Sequence, residues 1–477
     1  MKNIFSSLTR MIFMLITSST LADDQLSYPL VDTGQIRTYT NKSEISYPQN
    51  GEAFYGQDAQ YQGLSFSFKD QGDGTVSDLN TGLMWQQVPS PEGFSWEEAI
   101  AYCNQLKLGG YDDWRIPTLK ELFSISDFST GWPYVDTTFF SLATGHMGKD
   151  EQFWCAEDYK VGTTHGGVHS AFGVNHVTGH IKAYPSGKGP MGGKHVRAVR
   201  GEVYGVNAFV DNGDGTITDE ATGLTWAQMD SEIPMEWKEA LAYAESAVLA
   251  GHDDWRLPNI KELQSIVSYT GDLPAIDPVF RSTPITNEMG LTDYGYYWSS
   301  TSAQFSSRNP GYFYAWYVAF GRAVNSQGED THGAGAVRFD TKIKDGPNGE
   351  GGERYANYVR LVRGGDAVAR TSGPLIEFVR PVEHNPETLV PQMNPGERPQ
   401  AGISDRPGFK DLSGAAFIVR LDQDGDGKVS KAEFDGPEVH FTQSDQNKDG
   451  FLSEDEAPAG PPQSGHPPSA PPPGPQN

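Results

Sequence analysis

The sequence predicts an α+β protein: two tandem copies of one mixed domain, followed by a small helical module. Three observations predict it. A long block of the 477-residue chain occurs twice, each copy alternates short strands with two helical segments, and two acidic twelve-residue loops follow one another near the C-terminus.

The first residues read as an export signal. Lys2 and Arg10 supply positive charge, Met11 to Leu21 is a short apolar stretch, and Thr20-Leu21-Ala22 resembles a cleavage site, so residues 1–22 are expected to be removed. That stretch is too short to span a bilayer, and no later one is both long and apolar enough, so no transmembrane segment is expected. Residues 23–65 form a lead-in to the first copy.

The copies cover residues 66–201 and 207–365. The segment Phe66-Ser-Phe-Lys-Asp-Gln-Gly-Asp-Gly-Thr, running on to Thr81-Gly-Leu-Met-Trp85, recurs as Phe209-Val-Asp-Asn-Gly-Asp-Gly-Thr, running on to Thr222-Gly-Leu-Thr-Trp226. Trp85, Trp96 and Trp114 have counterparts Trp226, Trp237 and Trp255 at one constant offset, which chance does not produce. In each copy a strand, an Asp-Gly turn and a second strand make a hairpin. A helix starting at Ser95 or Glu236 carries apolar residues at helical spacing. Tyr111-Asp-Asp-Trp-Arg-Ile-Pro, matched by His252-Asp-Asp-Trp-Arg-Leu-Pro, leads into a second helix through Lys120-Glu-Leu or Lys261-Glu-Leu. Aromatic strands finish each copy, closing with Val196-Arg-Ala-Val-Arg-Gly201 and Val359-Arg-Leu-Val-Arg-Gly364.

These motifs resemble the Lcl C-terminal domain of bacterial collagen-like adhesins. Arg-(Ile/Leu)-Pro before a helix is more distantly similar to formylglycine-generating enzymes, and this likeness implies a C-type-lectin-like fold for both copies. The family implies surface attachment through glycan or glycosaminoglycan binding. This chain has no collagen repeats, and its net charge of −26 opposes sulfated chains as ligands. The same charge argues against nucleic acid or an anionic membrane as partner. A surface glycan or a protein is the expected partner.

Residues 366–411, rich in proline, read as a stiff linker. Residues 412–457 then hold two calcium loops. In the first, Asp422, Asp424 and Asp426 take positions 1, 3 and 5, Lys428 offers its carbonyl at 7, Ser430 stands at 9, and Glu433 closes at 12, with Gly427 at the sharp turn. The second places Asp445, Asn447, Asp449, Phe451, Ser453 and Glu456 at the same positions, with Gly450 at the turn. Ca²⁺ wants six to eight oxygens, which this spacing supplies. The pattern resembles an EF-hand pair, which implies that Val429 and Leu452, both at position 8, pair through a small β-bridge. Loop one has one more carboxylate and is expected to bind more tightly. Residues 458–477 read as a disordered Pro/Gly-rich tail.

Cys103 and Cys155 both lie in copy one, and copy two lacks both, with Ala244 and Ser299 in their places. Joint loss suggests a Cys103–Cys155 disulfide; catalytic thiols are the alternative. Asp70, Asp73 and Asp78, with Asp211, Asp214 and Asp219, suit hairpin turns better than a cation site. His165, His169, His176 and His180 stand at His-x-x-x-His spacings, yet the glycines among them favour a hairpin over a zinc site. Asp112-Asp113 and Asp253-Asp254, beside Arg115 and Arg256, read as fold-fixing charges before acid/base pairs. Tyr296-Tyr-Trp298 and Tyr312-Phe-Tyr-Ala-Trp316 read first as half-buried strands and second as a sugar-stacking face. The sequence as a whole reads as a non-enzymatic, exported calcium-binding protein with two lectin-like domains for attachment to a surface glycan or protein. An enzyme on a formylglycine-generating-enzyme-like fold and a calcium-dependent docking module are the alternatives.

Overall fold

The computed structural model describes residues 26–370, apart from 130, 145–147, 165–166, 190–192, 305–311, 348–353 and 366–367, and then residues 428–431, 441, 445, 447–453 and 456. The export signal, most of the linker and the tail lie outside the described residues. The chain divides into two units, Met1–Val390 and Pro391–Asn477.

The lead-in carries β1 (Thr38–Tyr39), β2 (Glu44–Ile45) and β3 (Tyr61–Gln62). Copy one runs β4 (Phe68–Asp70), β5 (Thr75–Asp78), β6 (Met84–Gln86), α1 (Trp96–Gln105), α2 (Leu119–Ser124), β7 (Gln152–Asp158), β8 (Ser170–Asn175), β9 (Ile181–Pro185) and β10 (Val199–Arg200). Copy two repeats this as β11 (Phe209–Asp211), β12 (Thr216–Asp219), β13 (Leu224–Ala227), α3 (Trp237–Glu245), α4 (Ile260–Ser265), β16 (Tyr296–Ala303), β17 (Tyr314–Ala319), β18 (Val337–Thr341) and β19 (Val362–Gly364). A further hairpin, β14 (Pro284–Thr286) and β15 (Thr292–Tyr294), precedes β16, and β20 (Val368–Ala369) follows β19. Strand outweighs helix, because all four α-helices are short.

Local chemistry sets these boundaries. In the first hairpin the Asp70 carboxylate accepts from Gly72 N–H at 2.8 Å, and Gly72 and Gly74 sit at φ +74° and +88°, where a Cβ would be strained. Ser95, Thr118 and Asn259 cap α1, α2 and α4, with Glu98, Glu121 and Glu262 reaching back to complete capping boxes. β10 joins β6 at the edge of the copy-one hairpin, as β19 joins β13 in copy two.

The copies do not stand apart as tandem beads. Their aromatic strands join in one six-stranded antiparallel sheet, ordered β7-β8-β9-β18-β17-β16. Val337 pairs with Ile181 at the junction, and these two residues hold equivalent places, facing Val318 in β17 and Val174 in β8 respectively. Equivalent residues that pair across an antiparallel junction lie on a local two-fold axis, as in an isologous dimer. A single core follows. It joins Trp85, Phe123, Phe153 and Ile181 of copy one to Trp226, Ile260, Trp316 and Val337 of copy two. Each copy also keeps a smaller cluster of its own, around Trp114 and Trp154 or around Trp237, Trp255 and Trp298.

The lead-in is part of this body. Tyr28 N–H donates to Ala221 O at 3.0 Å, and β3 pairs with β20, so residues 368–370, assigned from sequence to the linker, instead return to the lead-in.

Candidate functional site

In the C-terminal unit, β21 (Val429–Ser430) and β22 (Phe451–Leu452) pair antiparallel, with Val429 opposite Leu452. Both side chains are buried, and Phe441 is buried as well. The second loop is described at every candidate ligand. Asp445 N–H donates to Phe441 O at 2.9 Å, Asp449 N–H to Asn447 Oδ1 at 2.7 Å, Gly450 N–H to Asp445 Oδ2 at 3.1 Å and Phe451 N–H to Asp449 Oδ1 at 2.9 Å. Glu456, at the closing position, accepts from Asn447 N–H at 3.0 Å and from Ser453 Oγ–H at 2.8 Å. The Phe451 amide thereby holds the Asp449 carboxyl below the usual carboxylate range, and the Asn447 amide does the same for Glu456. Gly450 at φ +86° makes the turn. Among the described residues Asp445 Oδ1 is buried without a hydrogen-bond partner, an oxygen that suits a hard cation. Among the described residues, however, no group of three or more His, Cys, Asp or Glu side chains is gathered closely enough to hold a metal ion. Of the first loop, Lys428 and Ser430 are described; Asp422, Asp424, Asp426 and Glu433 lie outside the described residues.

In the duplicated body the charged motifs close on themselves. Arg115 grips Glu121 with two bonds of 2.6 and 2.7 Å, and Arg256 grips Glu262 with two of 2.6 Å. Asp113 instead pairs with Arg200, and Asp254 with Arg363, each through two bonds of 2.7 and 3.0 Å. The two arginines of Val-Arg-x-Val-Arg-Gly thus divide the work. The second holds the Asp-Asp turn. The first is buried, Arg197 donating to the carbonyls of Gln86, Gln87 and Ser141, and Arg360 to those of Ala227, Gln228 and Arg281. That role was not assigned from sequence, although an arginine between two apolar residues, Val196 and Ala198 or Val359 and Leu361, is its signal.

Comparison with known families matches the Lcl C-terminal domain at residues 74–200 and again at 215–363, more than half of the chain. The chain belongs to the Lcl C-terminal domain family. That family is a non-enzymatic, adhesin-type domain. No curated protein and no solved structure matches the chain.

The remaining candidates in the Lcl C-terminal copies serve the fold. Cys103 and Cys155 are buried free thiols, so the expected disulfide is not seen. The reason lies in strand geometry: successive residues of β7 face opposite sides, so Trp154 packs in the Cys103 cluster while Cys155 turns into the shared core. Burial pushes the Cys103 thiol up to about 12 and raises Cys155 as well, so neither offers a thiolate. His176 stacks on Phe153 at 4.7 Å and His180 bonds Thr178 Oγ1 at 2.8 Å, both around the β8–β9 turn, while His169 is exposed and bonds Ser186 Oγ. His165 lies outside the described residues. Tyr296, Tyr297, Trp298, Tyr314 and Trp316 are buried, which corrects the sugar-stacking alternative for these rings. Every residue of β16 and β17 is buried, so both faces of these two strands are covered. Asp73 and Asp214 each accept from the N–H and Oγ–H of the threonine two residues on, as turn formers do. No helix among the described residues is long and apolar enough to cross a membrane.

Proposed function

We propose that this protein is an exported, calcium-binding attachment protein. The observation that carries the attachment half is the family match over both copies, since the family is adhesin-type. In this reading each copy has a C-type-lectin-like fold, and the ligand is a surface glycan or protein. The net charge of −26 favours neutral or cationic ligands over sulfated ones.

The calcium half rests on the loop spacing and on the second loop. There Asp445, Asn447, Asp449, Ser453 and Glu456, with the Phe451 carbonyl, would hold the ion as an EF-hand does. In the first loop Asp422, Asp424, Asp426, the Lys428 carbonyl, Ser430 and Glu433 would do so. Affinities of about 10⁻⁵ to 10⁻³ M suit an exported module, where calcium stays bound as a standing ligand.

A glycan and matrix-protein array probed with residues 23–370 and with residues 23–477, each with calcium and with chelator, tests the attachment half. Saturable signal from both forms is expected. Absence of signal from both would refute attachment, and loss with chelator only in the longer form would place recognition in the C-terminal unit.

A further inference from the structure

The two-fold relation makes each copy a template for the other, and at one place the template is filled while its counterpart stands open. Around the start of α4, residues 31–35 of the lead-in lie in a groove. Asp32 N–H donates to Leu64 O at 2.7 Å, Lys261 Nζ donates to Asp32 O at 3.0 Å, and Phe128 N–H donates to Thr33 O at 2.7 Å. The Gln35 amide clasps Ser302 from both sides, donating to its carbonyl and accepting from its N–H, each at 3.0 Å. Gly34 sits at φ +80° against Asp127, Ser129 and Phe66.

The duplication places Lys120, Gly205, Tyr269 and Asp158 where Lys261, Leu64, Phe128 and Ser302 stand. Around the start of α2, Lys120, Gly205 and Tyr269 border a groove of about 460 Å³, lined also by Glu157, Tyr204, Val206 and Phe209; Lys120 Nζ donates to Asn207 Oδ1 there, and Asp158 lies outside the lining. No segment of the described chain lies in it as residues 31–35 lie in theirs. The Tyr269 N–H and the Gly205 carbonyl, counterparts of the two main-chain groups that hold the lead-in, have no hydrogen-bond partner among the described residues. Val203 and Val206 beside them are exposed.

We propose that this groove docks an extended peptide of a partner protein, held by the counterparts of the two main-chain bonds that hold Asp32 and Thr33 in the other copy. The peptide gives a carbonyl to Tyr269 N–H and takes the Gly205 carbonyl with its own N–H, in the manner of strand addition. A small residue follows at the place of Gly34. A second copy of this chain is the poorer occupant, because its matching segment already fills its own groove. The inference narrows the attachment reading to a peptide ligand and rests on that reading only for the existence of a partner. Glycan attachment could fail in the array without touching the measurement below.

The test titrates a labelled synthetic peptide, Pro-Leu-Val-Asp-Thr-Gly-Gln-Ile-Arg, the sequence of residues 29–37, into the chain from residue 23 to 477, with a scrambled peptide beside it. Saturable binding is expected, weakened about tenfold or more by Val206→Trp, which fills the groove mouth. In the wild-type protein, the Tyr269 amide should exchange more slowly when the peptide is bound, a readout that needs no variant to fold. Binding that does not saturate by about 1 mM, equal binding of the scrambled peptide, or an unchanged Tyr269 amide would overturn the proposal. Self-association that Val206→Trp abolishes would also overturn it, by assigning the groove to a second copy.

Discussion

The same Asp-Asp-Trp-Arg motif places two ion pairs in each copy, and their exposure decides their worth. Arg256 and Glu262 are 6% and 8% exposed, so removing one partner strands a buried charge. Glu262→Gln should cost about 3 kcal/mol or more in urea unfolding. Asp254 is 56% exposed opposite Arg363, and Asp254→Asn should cost under about 1 kcal/mol. Equal costs would refute this ranking. His176 gives a pH test. Its burial first, and then the nearby Arg197, hold the imidazole well below its ordinary range, so the folded protein keeps it neutral. Below about pH 6.5 the unfolded chain takes up a proton that the folded one refuses, so this residue lowers stability as pH falls. His176→Phe, which preserves the stack on Phe153, should remove up to about 1.4 kcal/mol per pH unit of that loss between about pH 6 and 5. Parallel stability curves for variant and wild type would contradict it. The motif arginines were legible as structural in the sequence. Their partners were not, because Arg200 meets Asp113 only after the chain has returned from β9 to the hairpin sheet.

At the scale of elements, the hairpins and helix starts were the most legible features, since Asp-Gly turns and the onset of helical apolar spacing show within a few residues. Thr118 accepts from Glu121 N–H at the start of α2, and Thr118→Ala should cost about 1 kcal/mol. A larger loss, beyond about 2 kcal/mol, would mean that the threonine supports more than the cap. The pairing of Val429 with Leu452 was legible through the resemblance to an EF-hand pair, in which the two residues at position 8 face one another. The expected Cys103–Cys155 disulfide is not seen. Its argument used the presence and absence of cysteines, whereas the alternation of β7 sends Trp154, not Cys155, toward Cys103.

For the molecule as a whole, the duplication told that two copies exist but not that they share a sheet. Apolar alternation in β9 and β18 marks buried strands without naming the neighbour, and the two-fold pairing of Ile181 with Val337, together with the shared core, makes the copies one body. Ile181→Lys should therefore put an unpaired ammonium into a common core and lower hydrogen-exchange protection in β16 and β17 of copy two as well as in β7 and β8. Loss confined to copy one would contradict the shared core. The functional account turns on calcium at the C-terminal loops, and calorimetric titration of Ca²⁺ into residues 23–477 tests it most directly. The account predicts two sites between about 10⁻⁵ and 10⁻³ M, the tighter abolished by Asp422→Ala and the weaker by Asp445→Ala. Heats no larger than dilution, or heats unchanged in the double variant, would contradict it.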